Sequence, residues 1–179
     1  MDSTSKQALD ELFADSKHRA QVAQERKNVE ADAQAEFLNK FLAVSKSIIV
    51  PACQEFSDYI NANGWRSRLE VKEEAFSRSI GSSRYADTYK PAEVRISFLY
   101  DNENYGRRGV NDVPYFAFSC NKDKRLVDTR SSTIGSGHGG SSGSGPSFTL
   151  HDLTVETVHA SLVDYFKKLV SDSRPYDQR

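Results

Sequence analysis

Cysteine is scarce: only Cys53 and Cys120 occur in 179 residues. A small secreted chain stapled by disulfides needs more of them, so buried thiols in a reducing, cytoplasmic setting are expected. No apolar run reaches the roughly 18 residues of a membrane helix, and the first twenty residues lack the apolar stretch of a signal segment. A soluble protein without membrane attachment is the expectation. Charge of one sign is missing too, since 24 Lys and Arg stand against 25 Asp and Glu. No global field therefore draws the chain to nucleic acid or to an anionic bilayer. Residues 61–130 alone are mildly basic, with thirteen cations against ten anions.

A catalytic or metal signature is also lacking. The four histidines, His18, His138, His151 and His159, show no i, i+4 pair of the kind a helical metal site uses, and neither cysteine has a second ligand nearby. Gly135-Ser136-Gly137-His138-Gly139-Gly140 matches G-x-G-x-x-G, but more Gly and Ser follow where a phosphate-binding helix would have to start. The loop holding Asp101, Glu103, Gly106 and Asp112 departs from the calcium-loop pattern at several ligand positions. No serine sits in a G-x-S-x-G elbow. No catalytic residue, metal or cofactor is assigned on this basis. Because triads assemble from distant residues, the sequence leaves open an enzyme or small-ligand binder. Its pocket would lie between sheet and helices, with Tyr100, Arg95, His151 or Asp152 at the rim.

What is present begins with an apolar stripe, Phe37, Phe41, Val44, Ile48, Phe56 and Ile60, spaced as one face of a helix. The stripe runs across Pro51, which predicts a kinked helix or two helices meeting at Val50-Pro51. Before it, residues 1–36 are polar, rich in good helix formers and poor in large apolar side chains. Such a helix is not held by its own contacts. It is expected to be a solvated arm or to pack its Ala/Val seam against the same helix of a second subunit, making a homodimer.

After Asn61-Ala62-Asn63-Gly64, a helix stop, the period changes to 2. Residues 65–72 read as a half-buried strand, followed by a break near Glu73-Glu74-Ala75. Residues 93–100 form a second strand, 115–120 a third that is apolar on both faces and hence central, and 125–130 a fourth. The Gly/Ser tract 131–147 reads as flexible coil, with a short strand at 147–150. Thr154 is placed to cap a last helix bearing Val155, Val158, Leu162, Tyr165, Phe166 and Leu169 on its apolar face. Residues 173–179 read as a loose tail.

These elements predict an α+β protein with a long kinked N-terminal helix and a four- to five-stranded, mostly antiparallel sheet, its C-terminal helix packed on the same sheet face. Residues 37–172 would form a single domain. The other sheet face should carry Arg66, Arg68, Lys72 and Arg95, with Tyr105, Arg107 and Arg108 on a neighbouring loop. Arginine with tyrosine can grip phosphate and stack on a base, so Arg66, Arg68, Arg95, Arg107, Arg108 and Tyr105 are the candidate binding residues. The leading expectation is a non-enzymatic interaction or adaptor protein, self-associating through its N-terminal helices and presenting the sheet face and loops to a partner protein. Binding of nucleic acid or another polyanion through the basic, aromatic face is the alternative.

Overall fold

The computed structural model describes residues 2–77, 88–99, 113–135 and 140–172. Helix α1 (Ser3–Val44) is followed by one π-helical turn (Ser45–Ile49) and helix α2 (Val50–Ala62). Seven strands come next: β1 (Arg66–Lys72), β2 (Ala75–Ser77), β3 (Thr88–Lys90), β4 (Glu93–Leu99), β5 (Tyr115–Asn121), β6 (Leu126–Ser132) and β7 (Ser142–Phe148). Helix α3 (Val155–Asp172) closes the described chain. The class is α+β, as the sequence pattern implies. Two compact units result, Met1–Phe37 and Leu38–Arg179.

Pro51 does not break the helix; it widens it. Proline has no N–H to offer the carbonyl four residues back, and the backbone answers with a π-turn in which the Val50 N–H bonds to the Ser45 carbonyl. The extra residue in that turn rotates the stripe by one position. Ile49 and Ser45 are the buried residues there, at 0% and 3% exposure, while Ile48 and Val44 are only half-buried. The turn thereby carries a serine into the core, and its Oγ has no hydrogen-bond partner.

The large sheet has the order β1-β4-β5-β6-β7, antiparallel at every step. The β2–β3 ribbon keeps the β1–β4 offset: Lys72 faces Glu93 and, farther along, Ala75 faces Lys90. It is thus the distal part of one long hairpin, interrupted at residues 73–74 and 91–92. Strand β5 is central and buried on both faces, since its Phe116 and Phe118 point one way and its small Ala117 and Ser119 the other.

Both α2 and α3 lie on the face that carries Ser67, Ile96 and Phe98. The Phe166 ring stands 5.9 Å from Phe56, 4.8 Å from Trp65 and 5.8 Å from Phe98. Tyr165 packs on Phe98 and Phe116, and its hydroxyl donates to the Ser132 carbonyl at 2.8 Å. Thr154 caps α3 by accepting the Thr157 N–H on its hydroxyl.

The tract read as coil is largely a hairpin. Strand β6 extends to Ser132 and β7 begins at Ser142, leaving only residues 136–139 outside the described residues. Polar bonds replace the missing apolar contacts: Thr129 Oγ1 donates to the Pro146 carbonyl, Ser147 Oγ to Asp128, and Thr133 Oγ1 to Asp172. Glycine is required at two points. A Cβ on Gly140 would meet the Thr133–Ile134 backbone at 2.6 Å, and one on Gly145 would meet Thr129 Oγ1 at 2.5 Å.

Two stability changes are expected, both read by urea unfolding. Ser45→Ala removes a buried hydroxyl with no partner and should raise stability by about 1 kcal/mol. Gly145→Ala forces a methyl onto a stiff, buried threonine and should lower it by about 2 kcal/mol.

Candidate interaction surfaces

Residues paired across an antiparallel ladder share a face, and the register gathers the polar residues on the side away from the helices. Arg66, Arg68, Glu70 and Lys72 of β1 lie opposite Leu99, Ser97, Arg95 and Glu93 of β4. The next strands add Tyr115, Ala117 and Ser119, then Ser132, Arg130 and Asp128. Arg66, Arg68 and Arg95 therefore do occupy one face. Tyr100, Tyr105, Arg107, Arg108 and His138 lie outside the described residues.

The cations on this face are not idle. Arg95 Nε donates to Glu93 at 2.8 Å, and its guanidinium lies 4.1 Å above the Tyr115 ring. Arg68 meets Glu70 at 3.1 Å, and Lys72 lies between Glu70 and Glu93 at 3.5 and 3.6 Å. Arg68, Lys72 and Arg95 thus share two carboxylates, Glu70 and Glu93, which offsets part of the basic charge of this face. Three of these pairs join residues two apart on one strand, and only Lys72–Glu93 depends on the β1–β4 register.

Where the long hairpin leaves the sheet, a second cluster forms. Lys122 donates to Glu74 at 2.6 Å and stands 5.1 Å from the Tyr89 ring centre, tying the β2–β3 ribbon to the β5–β6 turn. Partial desolvation works to lower the Lys122 pKa, but the Glu74 carboxylate and Tyr89 outweigh it and hold it above its ordinary value. Desolvation and the Glu74 charge raise the Tyr89 phenol. The ribbon also exposes Phe76, which packs on Tyr89 with 5.1 Å between ring centres.

A shallow groove of about 410 Å³ at the α2–β1 junction is lined by Asn61, Gly64, Trp65, Arg66, Ser67 and Leu99. Its polar groups largely satisfy one another, for Asn61 Oδ1 accepts both the Ser67 N–H and the Ser67 hydroxyl. A pocket between sheet and helices with Arg95 at its rim does not fit the register, which turns Arg95 to the opposite face; the described interface there is filled by aromatic rings. Asp152 takes the Thr149 hydroxyl in a turn before α3, and His159 reaches the Ala52 carbonyl of α2 at 3.2 Å. Burial pushes Cys53 up to about 12 and Cys120 to about 11, so both are protonated thiols at neutral pH. Among the described residues, no three His, Cys, Asp or Glu side chains cluster as metal ligands would.

The remaining surface is the first unit. Helix α1 is exposed at nearly every position from 2 to 36, and Leu9, Leu12, Phe13 and Val29 are 39%, 64%, 61% and 69% exposed. These side chains have no covering element within the described residues. No described helix is long and apolar enough to cross a membrane.

Asp128 supplies a test of the polar face. Its desolvation works to raise the pKa, but hydrogen bonds from Ser147 and Asn121, with the charges of Lys124 and Arg130, hold it below the ordinary carboxylate value. A depressed folded-state pKa gives stability that is present above the unfolded value and lost as pH falls through the folded one. Asp128→Asn should therefore be about 1 kcal/mol less stable than the parent at pH 7. The difference should shrink as pH drops below the carboxylate range, in urea unfolding followed against pH.

Comparison with protein-family models, with curated proteins and with solved structures finds no match to this chain.

Proposed function

We propose that this chain is a non-catalytic interaction protein that self-associates through helix α1 and presents the polar sheet face and its loops to a partner protein. The observation that carries the reading is the exposure of residues 3–36 along a continuous helix, with Leu9, Leu12, Phe13 and Val29 open to solvent. Isolated helices are marginal in water even with good propensity, and most helical stability comes from packing one face. A helix this long with spare apolar side chains is accounted for by a second helix against it. Two unpaired, buried thiols agree with a reducing, cytoplasmic setting. The carboxylate partners of Arg68, Lys72 and Arg95 favour this reading over capture of a polyanion.

Sedimentation equilibrium of the full chain tests the proposal. A dimer or larger assembly is expected, and Leu12→Glu/Phe13→Glu should weaken it by at least about tenfold, since a charge at an apolar interface costs more than the lost contacts. A strict monomer at all concentrations, unchanged by these substitutions, overturns it.

A further inference from the structure

We infer that two copies of α1 associate antiparallel, crossing at Ser16, so that Leu9 and Leu12 of one copy pack on Ala23 and Ala20 of the other. The inference rests on the self-association just proposed and adds its geometry. Two independent features of the helix carry it.

The first is volume. Leu9, Leu12 with Phe13, Ser16, Ala20 and Ala23 follow one another at steps of three or four and so share a helix face. They are exposed throughout. The stripe is bulky at one end and small at the other. In a parallel, in-register pair, leucine would meet leucine at one end and alanine would face alanine across a gap at the other. Reversing one helix about Ser16 sets large against small along the whole stripe, the interdigitation that close packing requires. The small serine at the crossing lets the backbones approach.

The second is charge. Residues 2–15 carry four Asp and Glu against one Lys, whereas residues 17–30, their mirror about Ser16, carry four Lys and Arg against two Glu. A parallel pair stacks each block on its own kind. The antiparallel pair lays the acidic block of each copy along the basic block of the other, twice over by symmetry. Size and sign thus select the same arrangement and the same crossing point. A reversal centred nearer residue 28 would also oppose basic to acidic residues, because Glu30, Asp32 and Glu36 follow. That reversal sets Ala23 opposite Ala33, small against small, and so gives up the interdigitation along the stripe.

The test uses the full chain with single introduced cysteines under mild oxidation, with sedimentation equilibrium alongside. The native Cys53 and Cys120 are 1% and 2% exposed and do not compete. Ser16→Cys should form a covalent dimer. Leu9→Cys alone and Ala23→Cys alone should not, but an equimolar mixture of the two should give the crossed 9–23 product. The dissociation constant should rise by on the order of fivefold between about 50 mM and about 500 mM salt, as attraction between opposed blocks is screened. A sedimenting dimer in which Leu9→Cys links to itself, with association that tightens in salt, overturns the antiparallel geometry and leaves self-association standing. A chain that stays monomeric overturns both.

Discussion

The second unit depends on the ring of Phe166, which touches Phe56 of α2, Trp65 at the entry to β1 and Phe98 of β4. One side chain from the last helix thereby fixes the preceding helix and two strands against one another. Tyr165 continues the contact to Phe116 and finishes it with a hydroxyl bond to the end of β6. Buried aromatic pairs add about 0.5–1.5 kcal/mol beyond their buried area, so this cluster orients as well as stabilises. Once it sets the Phe98 side of the sheet against helices, the alternation of each strand leaves no choice about the other side. Glu70, Arg95, Asp128 and their neighbours must lie there, and their distances decide the rest.

That decision is partial neutralisation. An arginine-bearing face suggests an anion site when Arg66, Arg68 and Arg95 are considered alone, yet Glu70 and Glu93 lie on the same strands two residues from Arg68 and Arg95. The antiparallel β1–β4 ladder sets Arg95 opposite Glu70 and Lys72 opposite Glu93, cross-strand neighbours a few ångströms apart. Arg95 then lies over Tyr115 of the next strand. The small residues of β5 beneath, Ala117 and Ser119, are buried as completely as a second core. A face organised in this way is polar and internally paired, which is what favours the proposed protein partner over a phosphate backbone.

How much of this the sequence discloses follows from which signals are periodic. The strands 66–72, 93–99 and 115–121 announce themselves through period-2 alternation or a double-faced apolar run, and α3 through its stripe and the Thr154 cap. Two features break the rule because their signal is not apolar. Strand β7 has glycine, serine and proline where a strand normally has branched or aromatic residues. It is held by Thr129, Asp128 and the β6 backbone, partners that no local pattern contains. The π-turn is the other case: Pro51 signals an irregularity, but whether the chain kinks or widens depends on which carbonyls find donors. Widening buries Ile49 and orphans the Ser45 hydroxyl. A helix stripe read at constant 3.6 periodicity cannot show that shift of one.

The two units differ in kind, and the difference bears on what the chain is for. In Leu38–Arg179 the described residues build a buried core around Phe41, Phe98 and Phe118, although Tyr59, Val71 and Phe76 stay exposed at its surface, and polar groups find partners even along a glycine-rich edge strand. Residues 3–36 are helical throughout and exposed at nearly every position, with Leu9, Leu12 and Phe13 at one end of a stripe and Ala20 and Ala23 at the other. The bare stripe of α1 is the feature on which the proposed self-association rests, and its grading in size and division in charge are what the proposed antiparallel pairing uses.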